Sequence, residues 1–462
     1  MSTEQKDQKN SFQQTLNLPK TDFSIRANAQ HKEPELLQRW ENEKLYAAAM
    51  IKNKGKTKFI LHDGPPYANG HLHIGHALTY ILKDIVCKAK RMSGYHAPLL
   101  PGWDCHGLPI ELKVTTERGL EKDRDSVDRV TFKRYCREFV QNWITIQKKE
   151  LKELGKLADF DHPYLTMNPS YEASILRAFA TFVEKGHIER KLKTVPWCAS
   201  CQTVLAAAEI EYQDRKDPSI YVLFGLPDPT ARMLFPLLFE TNSQLSIGFA
   251  VWTTTPWTLP LNRAVVLHPA AVYSVLQGKE PQQAFIVAKN LADKVCATLG
   301  IEKKELAECD ADVFTGKKVN HPFVDGLQVP IILDDMVLLG DGTACVHSAP
   351  GCGPEDYLLG VRHGLGIYSP LSADGKYTKG ILPVQLEGVS IADGQKMVFA
   401  LLAEKKALLG KTTITHSYPH CWRCHNGLMF RATHQWFCDL SRNDLIKRSL
   451  AEIERITFVP NR

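Results

Sequence analysis

Apolar positions follow two regimes along the chain. Up to about residue 185 they recur with helical spacing; from Pro218 they come in short β-branched runs. Pro34 opens a short helical pattern with Leu36, Leu37 and Trp40 on one side. Lys58 to His62 reads as a short buried strand. Two prolines and two glycines keep the next stretch, Gly64-Pro65-Pro66-Tyr67-Ala68-Asn69-Gly70, out of regular structure. Leu78, Ile81, Leu82, Ile85, Val86 and Ala89 then recur at i, i+3, i+4, i+7, i+8 and i+11, the stripe by which a helix faces a core. Strand, Gly/Pro loop and helix in that order present a ligand site at the carboxyl end of a strand in open α/β sheets. A second loop, Pro101 to Gly107, follows. Residues 127–156 predict a long amphipathic helix with Phe132, Tyr135, Phe139, Val140, Trp143 and Ile144 inside, and a further helix spans about Glu172 to Lys185. Beyond Pro218 the runs Ile220–Phe224, Ile247–Thr254, Ala264–Leu267 and Ala284–Val287, separated by Pro, Gly and Asp turns, predict a largely β domain to about residue 415. Helical pattern returns past Asn443, and residues 1–18, rich in Gln, Lys and Ser, are expected to fray.

Composition narrows the class. At roughly 150 residues per domain, 462 residues suggest about three domains. With 44% apolar and 23% charged residues, long-range disorder and fibrous classes are excluded. Lys plus Arg number 57 against 51 acidic residues; the resulting +6 permits a nucleic-acid partner without arguing for one. No apolar run approaches the ~18 residues of a membrane span, and the polar stretch Met1 to Gln14 is not a secretory signal. A soluble cytoplasmic protein is expected, without a membrane partner. In that setting two Cys-x-x-Cys pairs among twelve cysteines point to metal binding and free thiols rather than a disulfide framework.

His73-Ile74-Gly75-His76 sits where the Gly/Pro loop becomes the helix. The helix N-terminus offers backbone N–H groups and a positive dipole end, which suits an anion. Gly75 leaves room for a nucleotide against the backbone. Together these would bind a triphosphate and stabilise charge growing on its α-phosphate. Cys198-Ala199-Ser200-Cys201 and Cys421-Trp422-Arg423-Cys424 can each supply two thiolates to one tetrahedral zinc. Cys201 and Cys421 lie 220 residues apart and bracket the β-rich segment, so a shared zinc would pin together the two roots of an inserted domain. Four free thiols, or one pair with His420 or His425, remain open as alternatives.

The Pro65 to Gly70 loop, His73 to His76, Ile81-Leu82-Lys83-Asp84 and Gly102-Trp103-Asp104-Cys105-His106-Gly107 resemble the class I aminoacyl-tRNA synthetases and, within them, the isoleucyl-tRNA synthetases. The likeness begins at Thr15-Leu16-Asn17-Leu18-Pro19 and covers nearly the whole chain. It implies an α/β fold: part of a Rossmann-like catalytic domain, interrupted by an inserted β-rich editing domain. The implied divisions are 1–197 for the N-terminal segment and first half of the catalytic domain, 198–424 for the insert with its zinc-binding root, and 425–462 for the return. It also implies ATP, with Mg2+, and L-isoleucine as substrates, tRNA(Ile) as partner and a structural Zn2+; a monomer is expected. Carried over by position, Gly64, Pro65 and Asp104 line the amino-acid pocket, with the Asp104 carboxylate a sensible partner for the substrate ammonium. His73, Gly75 and His76 form the ATP site, the two histidines acting in catalysis.

Trp252-Thr253-Thr254-Thr255-Pro256-Trp257-Thr258-Leu259-Pro260-Leu261-Asn262 taken alone is ordinary strand and turn. With its partner segment Gly342 to Tyr357 it resembles the editing site of the same family. The resemblance places Thr253, Thr254, Thr255, Thr258 and Asn262 around a mischarged aminoacyl end, with His347 and Asp356 on the other wall and Asp356 holding the α-ammonium. Cys352 stands where that family more often has a histidine. An insert of this kind has an energetic rationale. Valine and isoleucine differ by one methylene, worth about 0.8 kcal/mol on burial, so a second, smaller cavity that admits valine and hydrolyses its ester sharpens the choice. The family's second nucleotide-binding loop, rich in Lys, Met and Ser, is not found, so the chain is expected to correspond to about the N-terminal half of a synthetase. A stand-alone deacylase and an inert RNA-binding fragment are the competing readings.

Overall fold

The computed structural model describes residues 15–17, 27–120 and 126–458, and the expectation of fraying at 1–18 falls largely outside them. The chain separates into two compact units, 1–185 and 186–462. Among the described residues no helix is long and apolar enough to cross a membrane.

Unit 1 is mainly helical: α1 (Ala29–Asn42), α2 (Leu45–Lys52), α3 (Ile74–Met92), α4 (Leu108–Glu117), α5 (Arg129–Glu153) and α6 (Pro169–Glu184). Between them β1 (Gly102–Trp103) pairs in parallel with β2 (Tyr164–Leu165). The approach of these two strands is close: a Cβ on Gly102 would lie 2.0 Å from the Tyr164 ring. Three sequence expectations change. First, α1 starts five residues before Pro34 and tolerates it in a helix with no buried residue; only one backbone bond is lost, on a surface open to water. Second, Lys58 to His62 is extended but not a buried strand. It makes a single parallel bridge, Lys58 with His96, and Ile60 is 66% exposed. A strand needs a ladder, and the described residues supply one rung.

Third, the apolar stripe of α3 is not its inner face. Leu78, Ile81, Leu82, Ile85 and Val86 are exposed, whereas Tyr80, Asp84, Cys87 and Arg91 are buried. The buried set has the same helical period, but two of its members are charged, so hydrophobicity selects the wrong side. The charges find partners inside, apart from Arg91 Nη2, which has none among the described residues. Asp84 accepts the Leu157 N–H at 2.8 Å and pairs with Lys88, and Arg91 donates to the carbonyls of Ala97 and Leu157. Helix α5 follows expectation more closely. Val140 and Ile144 are fully inside, while Phe132, Tyr135, Phe139 and Trp143 pack half-buried against the same cluster.

Unit 2 carries the β-structure. One sheet of six strands runs in the order β10 (Glu305–Asp310), β8 (Val272–Gln277), β9 (Gln283–Ala288), β6 (Ser246–Thr253), β5 (Ile210–Gly225), β14 (Leu408–Cys421). A second has β11 (Lys318–Asn320), β12 (Gln328–Leu333), β7 (Ala264–Leu267) and β13 (Cys345–Ser348). All four predicted β runs lie in these sheets. The third sheet, β15 (Met429–Cys438), β3 (Ile188–Cys198) and β4 (Thr203–Val204), extends the β region beyond 415. Helices α7 (Asp228–Leu234), α8 (Pro236–Thr241), α9 (Ala292–Leu299), α10 (Pro354–Arg362), α11 (Ile391–Glu404) and α12 (Leu445–Ile453) complete the unit. The two larger sheets share one core, with Phe224, Phe249, Tyr273, Phe285 and Phe314 at its centre. Strands β5 and β14 continue past that core as a two-stranded ribbon, pairing from Leu408 with Val222 down to Cys421 with Ile210. Residues 210–217 of that ribbon are polar and largely open, a pattern the apolar-run reading passes over.

Candidate functional site

In unit 1 the Gly/Pro loop is held from below by polar side chains. The buried Asp63 carboxylate receives Lys156 at 2.9 Å and Lys83 at 2.5 Å, and the Asp63 carbonyl accepts Tyr164 Oη–H. Gln147 on α5, 1% exposed, donates from Nε2 to the carbonyls of Tyr67 and Gly70 and accepts Trp103 Nε1–H at 2.9 Å. It thereby ties the Pro65 loop to the Asp104 loop. Asp104 meets Tyr67 in a parallel bridge, its N–H on the Pro66 carbonyl. No side chain among the described residues hydrogen-bonds its carboxylate, and the residue is half-buried.

His73 is the N-cap of α3 rather than a member of its face. Its Nδ1 accepts the N–H groups of Gly75 and His76 at 3.1 and 3.4 Å, while His76 Nδ1 accepts the His73 N–H at 3.3 Å. The expectation of free N–H groups is therefore corrected: two of them are capped by imidazole. The same bonds make both Nδ1 atoms acceptors, so each neutral ring carries its proton on Nε2. Burial and the neighbouring His73 hold His76 below the ordinary imidazole value. His73 is exposed and the rings lie 3.8 Å apart. The large groove of unit 1, about 840 Å³, lies elsewhere, among Trp40, Tyr46, Met50, His96 and Phe160.

In unit 2 the Thr-rich segment and residues 341–359 enclose one cavity of about 430 Å³. Thr253, Thr254, Thr255, Thr258, His347, Cys352 and Asp356 all line it; Asn262 lies behind, buried. His347 is on β13, opposite Val265 of β7. Asn262 Nδ2 donates to His347 Nδ1 at 2.7 Å, leaving the proton on Nε2, which faces Thr258 Oγ1 at 2.9 Å. Thr258 in turn donates to the Thr255 carbonyl. Burial, with His321 nearby, lowers His347 to about 3, so the ring is a neutral fixture at physiological pH. Thr254 Oγ1 has no hydrogen-bond partner among the described residues, so a hydroxyl remains for a ligand.

Gly353-Pro354-Glu355-Asp356 starts α10 with a proline at N1 and acids in the first turn, an ordinary helix start. Asp356 Oδ2 accepts the Ala349 N–H at 3.1 Å. Burial raises its carboxyl to about 6, and Glu355 adds to the shift. Burial also pushes the Cys352 thiol far up, so it stays protonated and is no nucleophile. A carboxylate costly to ionise alone, set in a small cavity with the spare Thr254 hydroxyl, suits a ligand ammonium.

The four thiols of Cys198, Cys201, Cys421 and Cys424 lie within 4.8 Å of one another, with Cys198 and Cys424 Sγ 3.5 Å apart. A tetrahedral zinc with Zn–S of about 2.3 Å needs sulfur separations of about 3.8 Å, so the residues fit the metal. Cys198 and Cys421 are buried, and burial raises Cys198 to about 11, a crowding of thiols that a cation would relieve. His425 turns instead to Glu211 and His420 to the Tyr418 carbonyl.

Residue-type reasoning missed Asp63, Gln147 and Lys156. Gln147 left a trace: it occupies a core position of α5 between Ile144 and Leu151, where a polar side chain signals a buried bond. Asp63 and Lys156 meet across 93 residues, and no local pattern carries that.

Residues 35–462 match the family model described as tRNA synthetases class I (I, L, M and V). Isoleucine–tRNA ligase of Geobacter sulfurreducens is 44% identical over 449 residues, covering 97% of this chain and 47% of that protein. The enzymes of the same name from Syntrophotalea carbinolica and Thermotoga neapolitana are 43% and 44% identical, each again covered to 47%. The chain thus spans about half the length of the curated relatives it matches. A solved editing domain of P. knowlesi cytosolic leucyl-tRNA synthetase overlaps 44% of this chain and 97% of its own at 12% identity and a TM-score of 0.33, too slight a likeness to argue from.

Proposed function

The chain belongs to the class I tRNA synthetases of the I, L, M and V group, and from that premise we propose that it is the N-terminal half of an isoleucine–tRNA ligase. The whole enzyme activates L-isoleucine with ATP and Mg2+, transfers it to tRNA(Ile), and hydrolyses valyl-tRNA(Ile). In this reading unit 1 contributes the amino-acid loop, with Gly64, Pro65 and Asp104, and the Nε2–H donors of His73 and His76 for ATP phosphates. Unit 2 contributes the hydrolytic site. In the same reading residues 1–197 are the N-terminal segment and first half of the catalytic domain, 198–424 the inserted editing domain and 425–462 the return.

The observation that carries the reading is the cavity of unit 2. Asn262 and Thr258 lock a neutral His347 in its lining, and Asp356 adds a carboxylate to the same lining. The ionised Asp356 binds the α-ammonium of the esterified amino acid and so fixes its carbonyl against the Thr254 and Thr255 hydroxyls. Water adds to that carbonyl, and the tRNA ribose hydroxyl leaves with the proton, giving free valine and uncharged tRNA. Neither Cys352 nor His347 acts as nucleophile; positioning and hydrogen-bond donors lower the barrier. A zinc held by Cys198, Cys201, Cys421 and Cys424 would be a structural cross-link. Deacylation of valyl-tRNA(Ile) by the chain tests the assignment. Asp356→Ala should reduce it to the uncatalysed rate; undiminished deacylation in that variant removes Asp356 from the site.

A further inference from the structure

Two walls of the unit 2 cavity are tied together by a charge cluster that does not line it. Met336, Val337 and Leu338 supply one stretch of the lining; Glu355, Asp356 and Leu359 of α10 supply another. Behind them Asp334, its side chain 3% exposed, accepts four bonds. Arg362 Nη1 reaches Oδ1 and Oδ2 at 2.9 and 2.7 Å, His363 Nε2 reaches Oδ2 at 2.8 Å, and the Met336 N–H reaches Oδ1 at 2.9 Å. The Asp334 N–H is itself on the Leu267 carbonyl, so the carboxylate is anchored to the β7 and β12 sheet. Arg362 and His363 are the last helical residue and C-cap of α10, two turns from Asp356.

The helix is restrained at two more points. Asp356 accepts the Ala349 N–H at its start, and near its end Gly360 packs so close to Pro350 that a Cβ there would lie 2.6 Å from the proline ring. The Asp334 cluster adds a third restraint, at the last helical residue and the C-cap, and it is the one that joins α10 to the Met336–Leu338 segment. The buried carboxylate has its donors in place, so the cost of burying it is offset only while α10 stays docked.

We propose that Asp334, Arg362 and His363 are positioning residues that set the spacing between the Met336–Leu338 wall and α10, and hence the size of side chain the cavity accepts. The proposal rests on the hydrolytic reading of this cavity. Loosening the cluster lets α10 move outward, which weakens the hold of Asp356 on the ammonium and admits a larger aliphatic group.

The test compares deacylation of valyl- and isoleucyl-tRNA(Ile) by the full chain and by Arg362→Ala, Arg362→Lys and Asp334→Asn. Arg362→Ala and Asp334→Asn should raise KM for the valyl ester about tenfold with a smaller change in kcat, and lower the valyl-to-isoleucyl preference about tenfold. Arg362→Lys, which keeps the charge but loses the fork, should fall between them and the parent. A preference unchanged in all three variants overturns the inference, whatever happens to thermal stability, because a merely structural role moves stability and not selectivity. If Arg362→Ala does not fold, Arg362→Lys carries the same comparison. Failure of the parent chain to deacylate valyl-tRNA(Ile) at all would instead reject the hydrolytic reading.

Discussion

At the scale of single residues, the informative quantity is which side chains are held in one protonation state. His347 is kept neutral by burial and by Asn262 on Nδ1, so its role is geometric at any pH near neutrality. Asp356 is different: burial brings its carboxyl to about 6, within reach of ordinary buffers. If its ionised form holds the substrate ammonium, valyl-tRNA(Ile) deacylation should rise with pH through about 6, from about half-maximal there to about nine-tenths at pH 7. A kcat/KM profile flat between pH 5 and 7 would contradict this. The linkage has a definite sign. The folded-state value lies above the ordinary 3.8, so the fold holds the proton more tightly than the unfolded chain. Asp356 therefore contributes its stability below about pH 4, and that contribution is lost as pH rises through about 6. Thermal unfolding of Asp356→Asn should accordingly fall away less than the parent's between those values.

At the scale of elements, the loops of unit 1 depend on one amide. Gln147 joins Tyr67, Gly70 and Trp103 from the buried face of α5. Gln147→Ala leaves two carbonyls and an indole N–H without this partner, and should cost roughly 2–4 kcal/mol of stability. Thermal denaturation checks the loss, and Gln147→Leu should recover little of it, since the unmet bonds rather than the volume are at issue. Elements also show where the sequence was legible. The β runs at 220–224, 247–253, 264–267 and 284–287 are strands because apolar residues buried on both faces leave a continuous signature, and Thr254 falls just past the end of its strand. Helix α3 was legible in extent but not in orientation. Its inner face includes Asp84 and Arg91, whose bonds to Leu157 span 73 and 66 residues and have no local sign.

At the scale of the whole chain, two expectations concern assembly. The cysteine cluster joins a turn after β3 to a turn after β14, so a metal there would cross-link segments 220 residues apart in sequence. About one zinc per chain is expected, with its removal by a chelator lowering the melting temperature, and Cys201→Ser should lose both. Metal analysis giving less than about half an equivalent would count against zinc. Isoleucine-dependent ATP–pyrophosphate exchange by residues 1–462 alone should be negligible. Helices α3 and α6 of unit 1 expose apolar side chains, Leu78, Leu82 and Ile85 on one and Ile175, Leu176 and Phe179 on the other, in a chain about half as long as its relatives. Exchange at a normal turnover rate would show unit 1 to be self-sufficient.

The sequence by itself determined the family, the alternation of helical and β regimes, the loop-to-helix transition at His73 and the two cysteine pairs, because each is written in residues close together or in an unmistakable residue type. Only the tertiary structure decided that His73 caps its helix, that α3 turns its charged side inward, that Asn262 stands behind His347, and that Asp334 bonds the end of α10. The cap is local, two and three positions along the chain, and the other three depend on bonds between residues 28 to 85 positions apart. Such bonds exist only once the chain has excluded water around them, and no local pattern of hydrophobic and polar positions records them.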